Sequence, residues 1–114
     1  MRKITIKKVK LKECEILQKE LNTFIVNKSS GLLAVRHTNQ WYTDLLLMDI
    51  AQKIYYSFRS RIENATQFST LSFAANEAIT LIQVILSANH HRESEESFVL
   101  DKFKNILHES LINL

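Results

Sequence analysis

The chain has 114 residues, with 15 Lys and Arg against 12 Asp and Glu and a net charge of +3. Apolar residues make up 46% and charged residues 24%, the composition of a globular domain and not of a disordered tail, and residues 1–114 read as one domain. A single cysteine, Cys14, excludes an internal disulfide framework, and one glycine with no proline excludes collagen-like and Gly/Pro-rich linker classes.

The charged opening Met1–Lys8 is followed by no apolar run of signal-peptide length. The longest apolar stretches, 44–50 and 78–86, fall well short of the roughly 20 residues of a membrane span. The expected location is the cytoplasm, with no membrane partner.

In chain order, Ile4 and Ile6 alternate with Lys3, Thr5 and Lys7, which predicts a short half-buried strand over 3–9. The apolar parity then moves to Val9 and Leu11. A strand cannot change faces without an extra residue, so the pairing must end or bulge at Lys7-Lys8. From Lys12 the spacing becomes helical, with Cys14, Leu17, Leu21, Phe24 and Ile25 on one stripe. Gly31 stands where a left-handed C-terminal stop would place it, giving a first helix over 12–29.

Residues 31–39 read as a connector whose Leu32, Leu33 and Val35 turn inward. Thr38 and Asn39 are capping residues, and a second helix is predicted from Gln40 to Asn64. Its stripe is Trp41, Leu45, Met48, Ala51, Tyr55, Phe58 and Ile62, widened by Leu47, Ile50 and Ile54. Phe68, Leu71 and Phe73 among Ser and Thr suggest a second strand over 67–72. A third helix, 74–88, is apolar nearly all round, with Asn76, Thr80, Gln83 and Ser87 as one polar line. After the polar break His90–Ser94, a fourth helix over 95–112 buries Phe98, Val99, Phe103, Ile106, Leu107 and Leu111. The fold class expected is mainly α: a four-helix bundle-like domain with one or two short strands, a small α+β arrangement if the strands pair.

Strand–helix–helix thus occurs twice, and Ile6 with Glu13-Cys14-Glu15-Ile16-Leu17 is echoed, in pattern and not in identity, by Phe73 with Asn76-Glu77-Ala78-Ile79-Thr80-Leu81. Charge divides unevenly. Residues 1–30 carry a balance of +5, residues 31–62 of +2 and residues 63–114 of −4. Such polarity favours an acidic partner or head-to-tail docking of a second copy, unless both ends are ordinary solvated faces.

Little in the sequence points to catalysis. His90, His91, Glu93, Glu95 and Glu96 are the one cluster of metal-ligand types, but no His-x3-His spacing sets two rings on one helical face, and no metal is expected. Cys14 lies on an apolar stripe, where a thiol behaves as a small hydrophobe. One glycine cannot build a nucleophile elbow, a P-loop or a dinucleotide-binding turn, so no cofactor is expected. Asp44 and Asp49, five apart on one helix, point about 140° away from each other. The chain is expected not to be an enzyme.

Two other classes remain. The first is a small interaction or assembly protein, a homo-oligomer or the partner of another protein, using Trp41, Tyr42, Tyr56, Leu81 and Val84. It rests on more apolar width in the last three helices than one small bundle covers. The second is a basic, low-specificity nucleic-acid binder that contacts phosphates through Arg2, Lys3, Lys7, Lys8, Lys10, Lys12, Arg59 and Arg61. Lysines that merely guard a sheet edge would give the same strand.

Overall fold

A computed structural model describes residues 3–64, 67–88 and 94–113. Its elements are β1 (Ile4–Lys10), α1 (Leu11–Gly31), a 3-10 turn (Leu32–Val35), α2 (Asn39–Glu63), β2 (Phe68–Phe73), α3 (Ala75–Leu86) and α4 (Glu95–Ile112). Four helices with one small antiparallel sheet make the fold mainly α with slight α+β character.

The two strands pair, and the parity change in the sequence is the reason for their irregular register. Ile4 faces Phe73, Thr5 faces Ser72 and Ile6 faces Leu71; the register then shifts so that Val9 meets Ser69 and Lys10 meets Phe68. Lys7 and Lys8 therefore stand together against Thr70, and Lys8 takes the left-handed φ of 58°. This is a β-bulge, and it returns Val9 to the inner face beside Ile4 and Ile6. One face of the sheet thus packs on the helices while Lys3, Thr5, Lys7, Lys8 and Lys10 face solvent.

Each strand runs directly into a helix. The Lys10 amide donates to Glu13 Oε1 at 2.9 Å, and the Ala74 amide donates to Glu77 Oε1 at 2.8 Å. A glutamate three residues into each helix thus satisfies a backbone donor at the strand–helix junction, the half of a capping box that an N3 carboxylate supplies. Thr38 Oγ1 accepts from the Trp41 amide at 3.2 Å and Ser94 Oγ from the Ser97 amide at 3.1 Å, so α2 and α4 begin where capping residues put them.

The core is built by Leu17 and Leu21 of α1, Ala51, Ile54 and Phe58 of α2, Leu81 and Val84 of α3, and Phe103 and Leu107 of α4, closed at one end by the inner face of the sheet. Phe58 of α2 meets Phe73 of β2 with ring centroids 6.3 Å apart.

Several expectations are corrected. Gly31 has φ −90° and ψ −8°, so α1 is not stopped by a left-handed residue; it passes straight into the 3-10 turn. That turn lies at the tip of the α1–α2 hairpin and buries nothing, with Leu33 82% exposed. In α4, Phe98 faces solvent and Leu100 takes a buried position on the same arc as Phe103 and Leu107. Thr80 belongs to no outer polar line: it is buried, its hydroxyl donating to the Asn76 carbonyl at 2.8 Å.

Candidate functional site

Asp44 sets the inward face of α2. It is buried, 3.3 Å from Lys28 Nζ at the end of α1, and accepts from Gln40 Nε2 at 2.7 Å. With Ile50, Ala51, Ile54 and Phe58 also inward, the opposite arc of the helix carries Tyr42, Leu46, Asp49, Lys53 and Tyr56, all exposed. Their spacing is four, three, four and three residues. That is a 3.5-residue repeat, the periodicity by which one helix seats along another. Tyr42, Leu46 and Tyr56 are each 60–61% exposed, and Leu45 widens the strip. Midway along it Lys53 Nζ stands 3.3 Å from Asp49 Oδ2, a solvated pair of the i, i+4 kind. At the start of the helix the Trp41 ring meets both His37 and Tyr42 edge-on, at 5.1 Å in each case.

The five residues expected to form an interface therefore separate. Tyr42 and Tyr56 share the outer arc of α2, and Trp41 is half-buried at its margin. Leu81 and Val84 are 0% and 1% exposed and cannot meet a partner. They lie on the arc of α3 that faces the other helices, and its exposed arc carries Ile79 and Leu86 instead. Leu46, Asp49 and Lys53 were missed. The signal was present in the 3.5-residue spacing, hidden because the broader inward stripe of α2 dominates the pattern.

The basic residues separate as well. Lys3, Lys7, Lys8 and Lys10 are exposed on β1, while Arg2 lies outside the described residues. Lys12 is held by Glu95 of α4 at 2.8 Å, and Lys19 by Glu96 at 3.3 Å, so part of the charge asymmetry is neutralised within one copy. Arg59 pairs with Glu63 at 3.0 Å, and this raises its pKa through the hydrogen bond and the adjoining charge. Arg61 lines an open groove of about 560 Å³ with Ser57, Ser60 and Asn64 of α2 and Phe68, Ser69 and Thr70 of β2.

The candidate chemical groups have structural surroundings. Glu13 is buried, which alone would push its carboxyl up; the hydrogen bond from Lys102 at 2.8 Å, the Lys10 amide and the two lysine charges outweigh this and hold it below the ordinary carboxylate value. Burial pushes the Cys14 thiol up, against the opposing charge of Arg61. Asp44 and Asp49 go to different lysines and form no dyad. No group of three or more metal-ligating side chains exists among the described residues; His90, His91 and Glu93 lie outside them. Among the described residues no helix is long and apolar enough to cross a membrane. No protein-family model, no curated protein and no solved structure matches the chain.

Proposed function

We propose that the protein is a small non-enzymatic assembly subunit that associates with a second copy of itself through the outer arc of α2. The observation that supports this is the strip Tyr42, Leu46, Asp49, Lys53 and Tyr56, apolar or aromatic toward its ends with a charged pair midway, at 3.5-residue spacing on an otherwise well-packed helix.

The strip is self-complementary. Two copies of α2 laid antiparallel about a two-fold axis at the level of Ala51 bring Asp49 of each copy level with Lys53 of the other, and Leu46 level with Tyr56. Acid meets base and the apolar ends cover each other, which is what a two-fold interface requires of a single patch. A polar pair inside such a seam also fixes register. From Tyr42 to Tyr56 the strip is about 21 Å long, which places its contact area at the low end for specific interfaces. The expected dimer is correspondingly weak, with Kd on the order of 1–100 μM.

Sedimentation equilibrium across that concentration range tests the reading. The wild-type chain should dimerise, and Leu46→Glu should weaken association by about tenfold or more while its circular dichroism stays unchanged. A wild-type chain that sediments as a monomer at roughly 500 μM, or a dimer indifferent to Leu46→Glu, would overturn it.

A further inference from the structure

The groove between α2 and β2 carries a charge with no ion-pair counterpart among the described residues. Arg61 is half-buried there, and among the described residues it has no hydrogen bond and no ion pair, whereas Arg59, two residues earlier, is neutralised by Glu63. Ser57, Ser60, Ser69 and Thr70 line the same groove, and their hydroxyls have no protein partner among the described residues. Among the described residues no Asp or Glu lines it.

The β-bulge adds to this. Lys7 and Lys8 oppose Thr70, one strand spacing from the groove wall, which is about 5 Å across a paired strand. Without the extra residue only one lysine would sit at that level. One cation, Arg61, and four hydroxyl-bearing residues thus line one open groove, and two further cations stand on the strand paired with its wall. A guanidinium offers paired N–H donors that match two oxygens of a tetrahedral anion, and hydroxyl donors complete its coordination.

We propose that this groove binds phosphate groups, with Arg61 at its centre and Lys7 and Lys8 engaging the neighbouring phosphate of a nucleic-acid backbone. The hydroxyls supply positioning contacts and read no sequence, so binding is weakly specific and salt-dependent. This proposal uses none of the side chains that form the association strip of α2.

The test is fluorescence anisotropy with a labelled single-stranded 15-mer, in DNA and RNA forms, titrated at several salt concentrations. The wild-type chain should bind both, and Arg61→Gln should weaken binding about tenfold and lower the salt slope by about 0.7, the single-strand value for one lost phosphate contact. Arg59→Gln should leave affinity unchanged. Inorganic phosphate alone, followed by amide chemical shifts, should perturb residues 57–61 and 68–70. Shifts there with no oligonucleotide binding would assign the groove to a small phosphate compound and overturn the nucleic-acid assignment. Oligonucleotide binding that survives Arg61→Gln but is lost in Lys7→Ala/Lys8→Ala would overturn the groove in favour of the strand alone. No response to either probe would overturn the proposal entirely.

Discussion

The two strand–helix junctions of this protein are built alike and diverge on their outer surfaces. β1 runs into α1 and β2 into α3, each through a glutamate that takes the backbone amide three residues before it. Counting on from these glutamates, Cys14, Leu17 and Leu21 occupy the positions of Ala78, Leu81 and Ile85, and all six are buried. On the opposite arc the correspondence ends. Glu15 and Asn22 of α1 are exposed polar groups, whereas their counterparts on α3, Ile79 and Leu86, are exposed apolar ones. Packing dictates the inward set in both halves; the outward set is free to vary.

The glutamates differ in a second way. Glu13 lies under α4 and also accepts from Lys102, so it joins β1, α1 and α4 at one point. Glu77 is half-buried and serves its own junction. One is a tertiary link and the other a local cap.

The sharpest way to break the comparison is to remove the equivalent core leucines. Leu17→Ala and Leu81→Ala, both at fully buried sites, should each cost about 2–5 kcal/mol in urea-unfolding free energy. Similar losses support an equivalent inward arc; a loss below about 1 kcal/mol at either site would show a neighbour collapsing into the space and the equivalence failing.

Much of this architecture was legible in the sequence, because local rules and packing agree there. The parity change at Lys7-Lys8 foretold the bulge, and Thr38 and the polar segment ending at Ser94 marked the starts of α2 and α4. What could not be read was anything decided by contact across the chain. Gly31 invited a left-handed stop, yet nothing crowds its Cβ position and the helix simply continues into a tighter turn. Leu33 reads as a core residue but lies beyond the last element able to cover it. Leu81 and Val84 were indistinguishable from Ile79 and Leu86 on a helix apolar all round, and only the placement of α1, α2 and α4 separates them. The ion pair of Glu13 with Lys102 spans most of the chain and has no local signature. The groove at Arg61 lies between consecutive elements, the end of α2 and the start of β2, but its walls carry no spacing that marks them in the sequence.

The glutamates give the next largest effect. Glu13→Gln should cost about 1–2 kcal/mol, since it weakens a buried cap and leaves Lys102 without its carboxylate, whereas Glu77→Gln should cost about half as much. Glu13 also has a signature in acid. Glu13 has a folded pKa below its ordinary 4.5, so it binds its proton more readily in the unfolded chain. Its contribution is therefore complete above the unfolded value and is lost as pH falls through the folded one. Stability measured against pH should fall less steeply below 4.5 in Glu13→Gln than in the wild type. Parallel acid limbs in the two proteins would show that the Lys102 contact does not favour the ionised carboxyl in solution.

The smallest effect is expected where the halves differ most. Placing the α1 residues at the matching positions of α3, as Ile79→Glu and Leu86→Asn, removes exposed apolar groups without touching the inward arc. Each change should alter unfolding free energy by no more than about 0.5 kcal/mol, because surface positions away from caps and ion pairs contribute little. Thermal denaturation of the double variant measures this directly. A near-unchanged midpoint confirms that only the inner arc of α3 is dictated by the fold. A drop of several degrees would mean that Ile79 and Leu86 are covered in solution, and that the outer arc of α3 has a structural partner of its own.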